Sequence, residues 1–208
     1  MKNSNLPPWD SLEAAAARPD WQILTQKIEF ENPWMRVESY DVIAPTGNPA
    51  HYGVTRFRNR AVAVVPLFDD GTVVIVGQQR FALNAYSWEL PEGGVPDGED
   101  PLEGAKRELA EEAGLKAEYW REIIQMDLSN SITDEVATGY LATGLTPAEG
   151  ALDETESLEI RRIPFKDLLK AVISGQVRDS QTVVCALRIH HMATTGDLPP
   201  HLINAILG

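Results

Sequence analysis

Hydrophobic and polar positions change their period several times along the chain, and the changes mark out its elements. Ser11 to Ala17 reads as a short helix, with Ser11 as N-cap and Pro19 closing it. Three strand-like runs follow between Trp21 and Phe57: WQILTQKIEF, WMRVESYDVIA and HYGVTRF. The last two are separated by the turn signal Pro45-Thr46-Gly47-Asn48, and together they predict a small antiparallel sheet. The next runs, AVAVVPLF and TVVIVGQQ, are continuous and β-branched and are joined by Asp69-Asp70-Gly71. That pattern predicts a buried hairpin at a sheet centre.

The pattern then turns helical. After YSWELPEGG, the segment from Asp100 to Ala113 is rich in Ala, Leu, Glu, Lys and Arg, and Gly114 suits its C-cap. Strands are predicted at Tyr119 to Asp127, Thr138 to Ala142 and Leu158 to Ile163, separated by the polar loops SNSITDE and TPAEGALDETES. Pro164 opens a helix running to about Ser174, and Ser180 to Met192 carries another. No internal repeat is present. The pattern predicts an α+β chain in which residues 1–57 form an N-terminal helix and antiparallel sheet, and residues 58–208 a larger sheet with helices on its faces.

Composition narrows the function. The chain has 208 residues, 43% hydrophobic and 24% charged, which is ordinary globular usage. A net charge of −13 argues against a surface that tracks a nucleic-acid backbone, since such surfaces need clustered Lys and Arg. An acidic protein still binds an anionic small molecule when a divalent cation sits between them. The N-terminus lacks an apolar signal core, and no stretch has the length of a membrane span. The expectation is therefore a soluble, cytoplasmic protein with neither a membrane nor a nucleic acid as partner. Cys185 is the only cysteine, set in the apolar run TVVCALRI, and reads as a buried structural thiol.

The chemistry is concentrated in the helix that follows WELPEGG. Glu108 and Glu112 are at i and i+4, with Glu111 at i+3, so three carboxylates crowd one side. Leu102, Leu109, Ala110 and Ala113 fall on the other, with the Lys106 stem among them. Crowded carboxylates repel and raise one another's pKa, and a hard divalent cation compensates. Arg107 is at i, i+4 from Glu111 and within reach of Glu99. A glutamate-rich helix face is most often merely solvated. Here Gly93 and Gly94 permit close backbone approach on one side and Gly114 ends the helix on the other, constraints that a solvated face does not need.

From Gly93 to Leu115 the segment GGVPDGEDPLEGAKRELAEEAGL resembles a complete Nudix box. The resemblance implies a Nudix fold, a mixed β-sheet sandwiched between α-helices. It implies Mg²⁺, or Mn²⁺, held by Glu108, Glu111 and Glu112 with the backbone carbonyl of Glu92, and Arg107 supporting them. YSWELPEGG and the strand-rich segment before AVAVVPLF resemble the ADP-ribose pyrophosphatase and nucleoside diphosphate sugar hydrolase branch. That branch implies hydrolysis of a pyrophosphate bond to a nucleoside monophosphate and a sugar phosphate. It implies Arg80 on a substrate phosphate, and a general base on the acidic loop ALDETESLEI, at Glu154 or else Glu156. A homodimer is implied too, its N-terminal domain contributing to the pocket. Many members carry proline in the loop where this chain has Ser129, Asn130 and Ser131, so the implied preference extends beyond ADP-ribose to related nucleotide sugars. Two other readings are a Nudix hydrolase of dinucleoside polyphosphates or NADH, and a non-catalytic nucleotide sensor. Retention of all the metal carboxylates and the lack of an attached basic DNA-binding segment oppose the second.

Overall fold

A computed structural model of the chain describes residues 6–148 and 158–208, which form two compact units. The first is the described part of Met1–Arg56 together with Ser131–Thr133. Helix α1 (Leu12–Ala17) starts at Ser11, whose hydroxyl accepts the Ala14 amide. Strands β1 (Gln22–Glu31), β2 (Met35–Ile43) and β3 (Pro49–Phe57) then form a sheet in the order β1-β2-β3. On β2, Glu38, Tyr40 and Val42 are buried at alternate positions, the two-residue period of a strand with one covered face. Glu38 is 1% exposed and is tolerated there because Arg36, Arg56, Gln26 and the Tyr40 hydroxyl all donate to it.

The second unit contains β4 (Asn59–Pro66), β5 (Thr72–Arg80), β6 (Ala85–Glu89), β7 (Glu92–Pro96), helix α2 (Pro101–Ala113), β8 (Leu115–Asp127), β9 (Val136–Pro147), β10 (Glu159–Pro164), and helices α3 (Phe165–Ile173), α4 (Ser180–Thr194) and α5 (Pro200–Leu207). A four-stranded mixed sheet has the order β7-β4-β9-β8, with β4 parallel to β9 and the other pairs antiparallel. A three-stranded antiparallel sheet has the order β10-β5-β6.

Strand β4 is buried on both faces. Val62 and Val64 pack with Val95, Ala105, Leu109 and Tyr140, on the side of α2. Ala63 and Val65 pack with Phe165, Ile189, Met192 and Leu202, on the side of α3, α4 and α5. Helices on both faces of a mixed sheet make the α+β sandwich expected of the fold.

The expected hairpin of AVAVVPLF and TVVIVGQQ does not form. Strand β4 pairs with β7 and β9, and β5 with β6 and β10; an isolated bridge from Leu67 to Val73 is what joins the two runs. A continuous apolar run reports burial on both faces and says nothing about its hydrogen-bonded neighbour. Strand β7 and helix α5 were not read from the sequence. The first is short and follows Pro91, and the second lies behind Pro199-Pro200.

Candidate active site

Strand β7 and helix α2 are held together by contacts that use the backbone of Glu92-Gly93-Gly94. The Glu92 amide donates to Glu112 Oε2 at 2.8 Å, and Arg107 Nη2 donates to the Gly94 carbonyl at 2.9 Å. Between them the Glu108 carboxyl lies directly over Gly93: a Cβ there would fall 2.2 Å from its carboxyl carbon. Gly93 is therefore required for close approach. The helix is fixed at both ends. The Asp100 side chain accepts the Leu102 and Glu103 amides, and Gly114, at φ 62°, returns its amide to the Ala110 carbonyl.

These contacts bury much of the acidic side of the helix as well as its apolar side. Glu108 and Glu112 are buried, at 9% and 4% exposure, together with Ala105 and Leu109, while the Glu111 side chain remains 41% exposed. A helix seated against Gly93-Gly94 can bury carboxylates because those two positions carry no side chains and the Glu92 amide donates to Glu112. Arg107 donates to Glu108 at 2.7 Å and to Glu111 at 3.0 Å and stands 3.6 Å from Glu99, in keeping with the pairing expected from spacing.

Glu108, Glu111, Glu112, Glu92, Arg107 and Arg80 all line one 460 Å³ cavity. Each cavity residue expected from the sequence and described by the structure is thus brought to one place. Glu154 and Glu156 lie outside the described residues. The sequence reading missed Asn59, Arg60, Glu135 and Gln181, which line the same cavity. Of these, Glu135 closes the acidic loop ITDE and so carried a signal; burial, then the neighbouring Asp134, push its carboxyl above the ordinary range. Gln181 reaches the cavity from the first turn of α4, an element with no visible link to the box.

Arg80, at the end of β5, is engaged within the protein. Its Nε and Nη2 hold both Glu89 oxygens, at 3.0 and 2.5 Å, and Nη2 also reaches Glu92 Oε1 at 2.7 Å. Glu89 and Glu92 are buried, and Asp179, the N-cap of α4, completes a trio whose oxygens lie within 4.8 Å of one another. Among the described residues this trio, and not Glu108 with Glu111 and Glu112, is the tightest convergence of acidic side chains. Burial foremost, and then the Asp179 carboxylate, push the Glu92 carboxyl well above its usual range.

The α2 side of the cavity suits a hard divalent cation. Its donors are all oxygens, a protein cation already stands beside Glu108 and Glu111, and the glycine strand leaves the Glu108 carboxyl room that any side chain at position 93 would take.

Known proteins supply the wider context. A family model described as NUDIX domain matches residues 57–187. The chain is 32% identical over 164 residues to the methanol dehydrogenase activator of Bacillus methanolicus, covering 78% of this chain and 88% of that protein. It is 34% identical over 147 residues to the ADP-ribose pyrophosphatase of Mycobacterium tuberculosis (strain ATCC 25618 / H37Rv), covering 69% and 70% respectively. A solved structure described as an ADP compounds hydrolase superposes with a TM-score of 0.76 at 22% identity, over 86% of this chain and 97% of that one. The buried carboxylate helix clamped to a double-glycine strand and the match across residues 57–187 lead to one conclusion: this chain is a member of the NUDIX family.

Proposed function

We propose that the protein hydrolyses the pyrophosphate bond of ADP-ribose or a related nucleoside diphosphate sugar, with Mg²⁺, or Mn²⁺, held at Glu108, Glu111 and Glu112 and the Glu92 carbonyl. The observation that carries this reading is the seat of α2 on Gly93-Gly94, which gathers those carboxylates and Arg80 around one cavity. The ADP-ribose pyrophosphatase name of the M. tuberculosis relative supports the substrate class.

A pyrophosphate diester carries two negative charges and is attacked by water, so its hydrolysis needs charge neutralisation, orientation and a proton acceptor. When bound, a divalent cation neutralises phosphate oxygens and acidifies water. The remaining work falls to the chain. The Glu92 amide fixes Glu112, Gly93 sets the depth of Glu108, and Arg107 orients Glu108 and Glu111. Arg80 brings its guanidinium charge to the cavity wall, with Nε and Nη2 held by Glu89 and Glu92, and is assigned to the second phosphate. We assign proton acceptance to Glu154, with Glu156 behind it, on the acidic loop outside the described residues. Glu154→Gln lowers kcat by roughly 10²-fold or more on this assignment. Near-full activity in that variant, with a loss in Glu135→Gln, moves the role to Glu135, the loop carboxylate that the cavity itself offers.

We also propose a homodimer formed through the N-terminal unit. All ten residues of β1 are exposed in the single chain, among them Ile23, Leu24, Ile28 and Phe30 at 50% or more, apolar side chains that a second copy would cover.

The test is a panel of ADP-ribose, ADP-glucose, GDP-mannose, UDP-glucose, diadenosine polyphosphates and NADH, each with Mg²⁺. Cleavage of the nucleotide sugars is expected. Cleavage confined to polyphosphates or NADH contradicts the substrate class.

A further inference from the structure

We infer that Glu89, Glu92 and Asp179 hold a divalent cation of their own, distinct from the one assigned to helix α2. The inference concerns metal binding alone and does not rest on the proposed substrate.

The argument begins with charge. Three carboxylates face one another within 4.8 Å, and Arg80 supplies the guanidinium placed among them. Glu89 is 2% exposed and the Glu92 side chain 8% exposed, so water does little to spread the excess negative charge.

The second observation is independent of the clustering. Arg80 occupies both oxygens of Glu89 but only Oε1 of Glu92, and Glu92 Oε2 is buried with no hydrogen-bond partner among the described residues. Gln181 Oε1, on a residue 8% exposed that shares the 460 Å³ cavity with Glu92 and Arg80, is orphaned in the same way. Buried polar atoms are nearly always satisfied, and each orphan costs about 1–3 kcal/mol. With Glu92 ionised, both orphans are oxygens that accept and do not donate. The ligand that satisfies them and the charge together is a hard cation; an anion or an apolar group satisfies neither.

Size and access agree. Oxygens at about 2.3–2.6 Å from a Ca²⁺-sized ion stand up to roughly 5 Å apart, so the trio already has suitable dimensions. Asp179 Oδ2 accepts the Thr182 amide as N-cap of α4. A second cavity of 990 Å³ opens onto all three acids and carries Ser180 at its edge. An ion therefore has a route that does not pass α2. Glu92 connects the two positions: its amide holds Glu112, while its carboxylate belongs to the trio.

Mn²⁺ binding, counted by the electron paramagnetic resonance signal of the free ion, tests this. The proteins are the wild type, Asp179→Asn, the double variant Glu108→Gln/Glu112→Gln, and the triple combination. Asn caps a helix about as well as Asp, so Asp179→Asn removes the charge and keeps α4. The double variant is expected to retain one Mn²⁺ per chain, displaced by Ca²⁺, and the triple variant to lose it. Glu89→Gln in the double background should reproduce that loss, with the thermal melt of each variant recorded alongside. No Mn²⁺ on a folded double variant, or a retained Mn²⁺ that survives both Asp179→Asn and Glu89→Gln, overturns the inference.

Discussion

Glu112 has two tasks that a neutral substitution separates. Its carboxylate accepts the Glu92 amide at 2.8 Å and lines the cavity where the metal is assigned. Glu112→Gln keeps an oxygen for the amide and removes the charge. It is expected to lower kcat by roughly 10²-fold or more while leaving the circular dichroism melt near that of the wild type. Gly93→Ala attacks the same site sterically: the new methyl meets the Glu108 carboxyl, so Glu108 must leave its place. Metal-dependent turnover should fall, and stability should drop by about 1–3 kcal/mol in urea titration. Cys185 behaves otherwise. It is fully buried, and burial pushes its thiol up to about 12. A thiol raised above its ordinary range favours the folded state below pH 9, and that contribution fades as pH rises toward 12. At pH 8 Cys185 should therefore resist Ellman's reagent in native protein and react fully in denaturant; rapid native labelling would place the thiol outside the core.

At the level of elements, the helix of the box was readable and its seat was not. Asp100, Pro101 and Gly114 announce where α2 begins and ends, and the structure uses each in that role. The burial of Glu108 and Glu112 was not legible, because helical spacing distributes side chains around an axis but does not say that Gly93 and Gly94 of the neighbouring strand lie against them. Gly93 was legible as a point of close approach, Gly104 was not: a Cβ there would fall 2.4 Å from Val95 Cγ2, so α2 and β7 touch almost backbone to side chain. Gly104→Ala should cost about 1–3 kcal/mol of stability despite the better helix propensity of Ala, read from its thermal or urea midpoint. Partner strands were hidden for a different reason. The run AVAVVPLF is equally apolar whether β5 or β9 lies beside it, and the choice depends on which helices cover its two faces. Arg80 was expected on a substrate phosphate from the resemblance, whereas its capture by Glu89 and Glu92 depends on the pairing of β5 with β6, which local sequence does not encode.

For the whole molecule, family membership and assembly are separate matters. Apart from Ser131–Thr133, the matched segment, residues 57–187, belongs to the second unit, where the described cavity residues also lie. The N-terminal unit presents β1 with every residue exposed, and a three-stranded sheet with one uncovered apolar strand is marginal alone. Light scattering at working concentration should give twice the 22.9 kDa chain mass. Replacing Ile28 and Phe30 with Lys should shift the mass toward the monomer; a wild-type monomer would remove the assembly proposal without touching the chemistry. That chemistry is tested most directly by incubating the protein with ADP-ribose and Mg²⁺ in ¹⁸O-labelled water and identifying the products by mass spectrometry. The account predicts AMP and ribose 5-phosphate, one ¹⁸O per turnover carried on the phosphate of one of the two products, and loss of both products in Glu112→Gln or with chelator. Intact ADP-ribose, or unlabelled products formed equally well by Glu112→Gln, would contradict it.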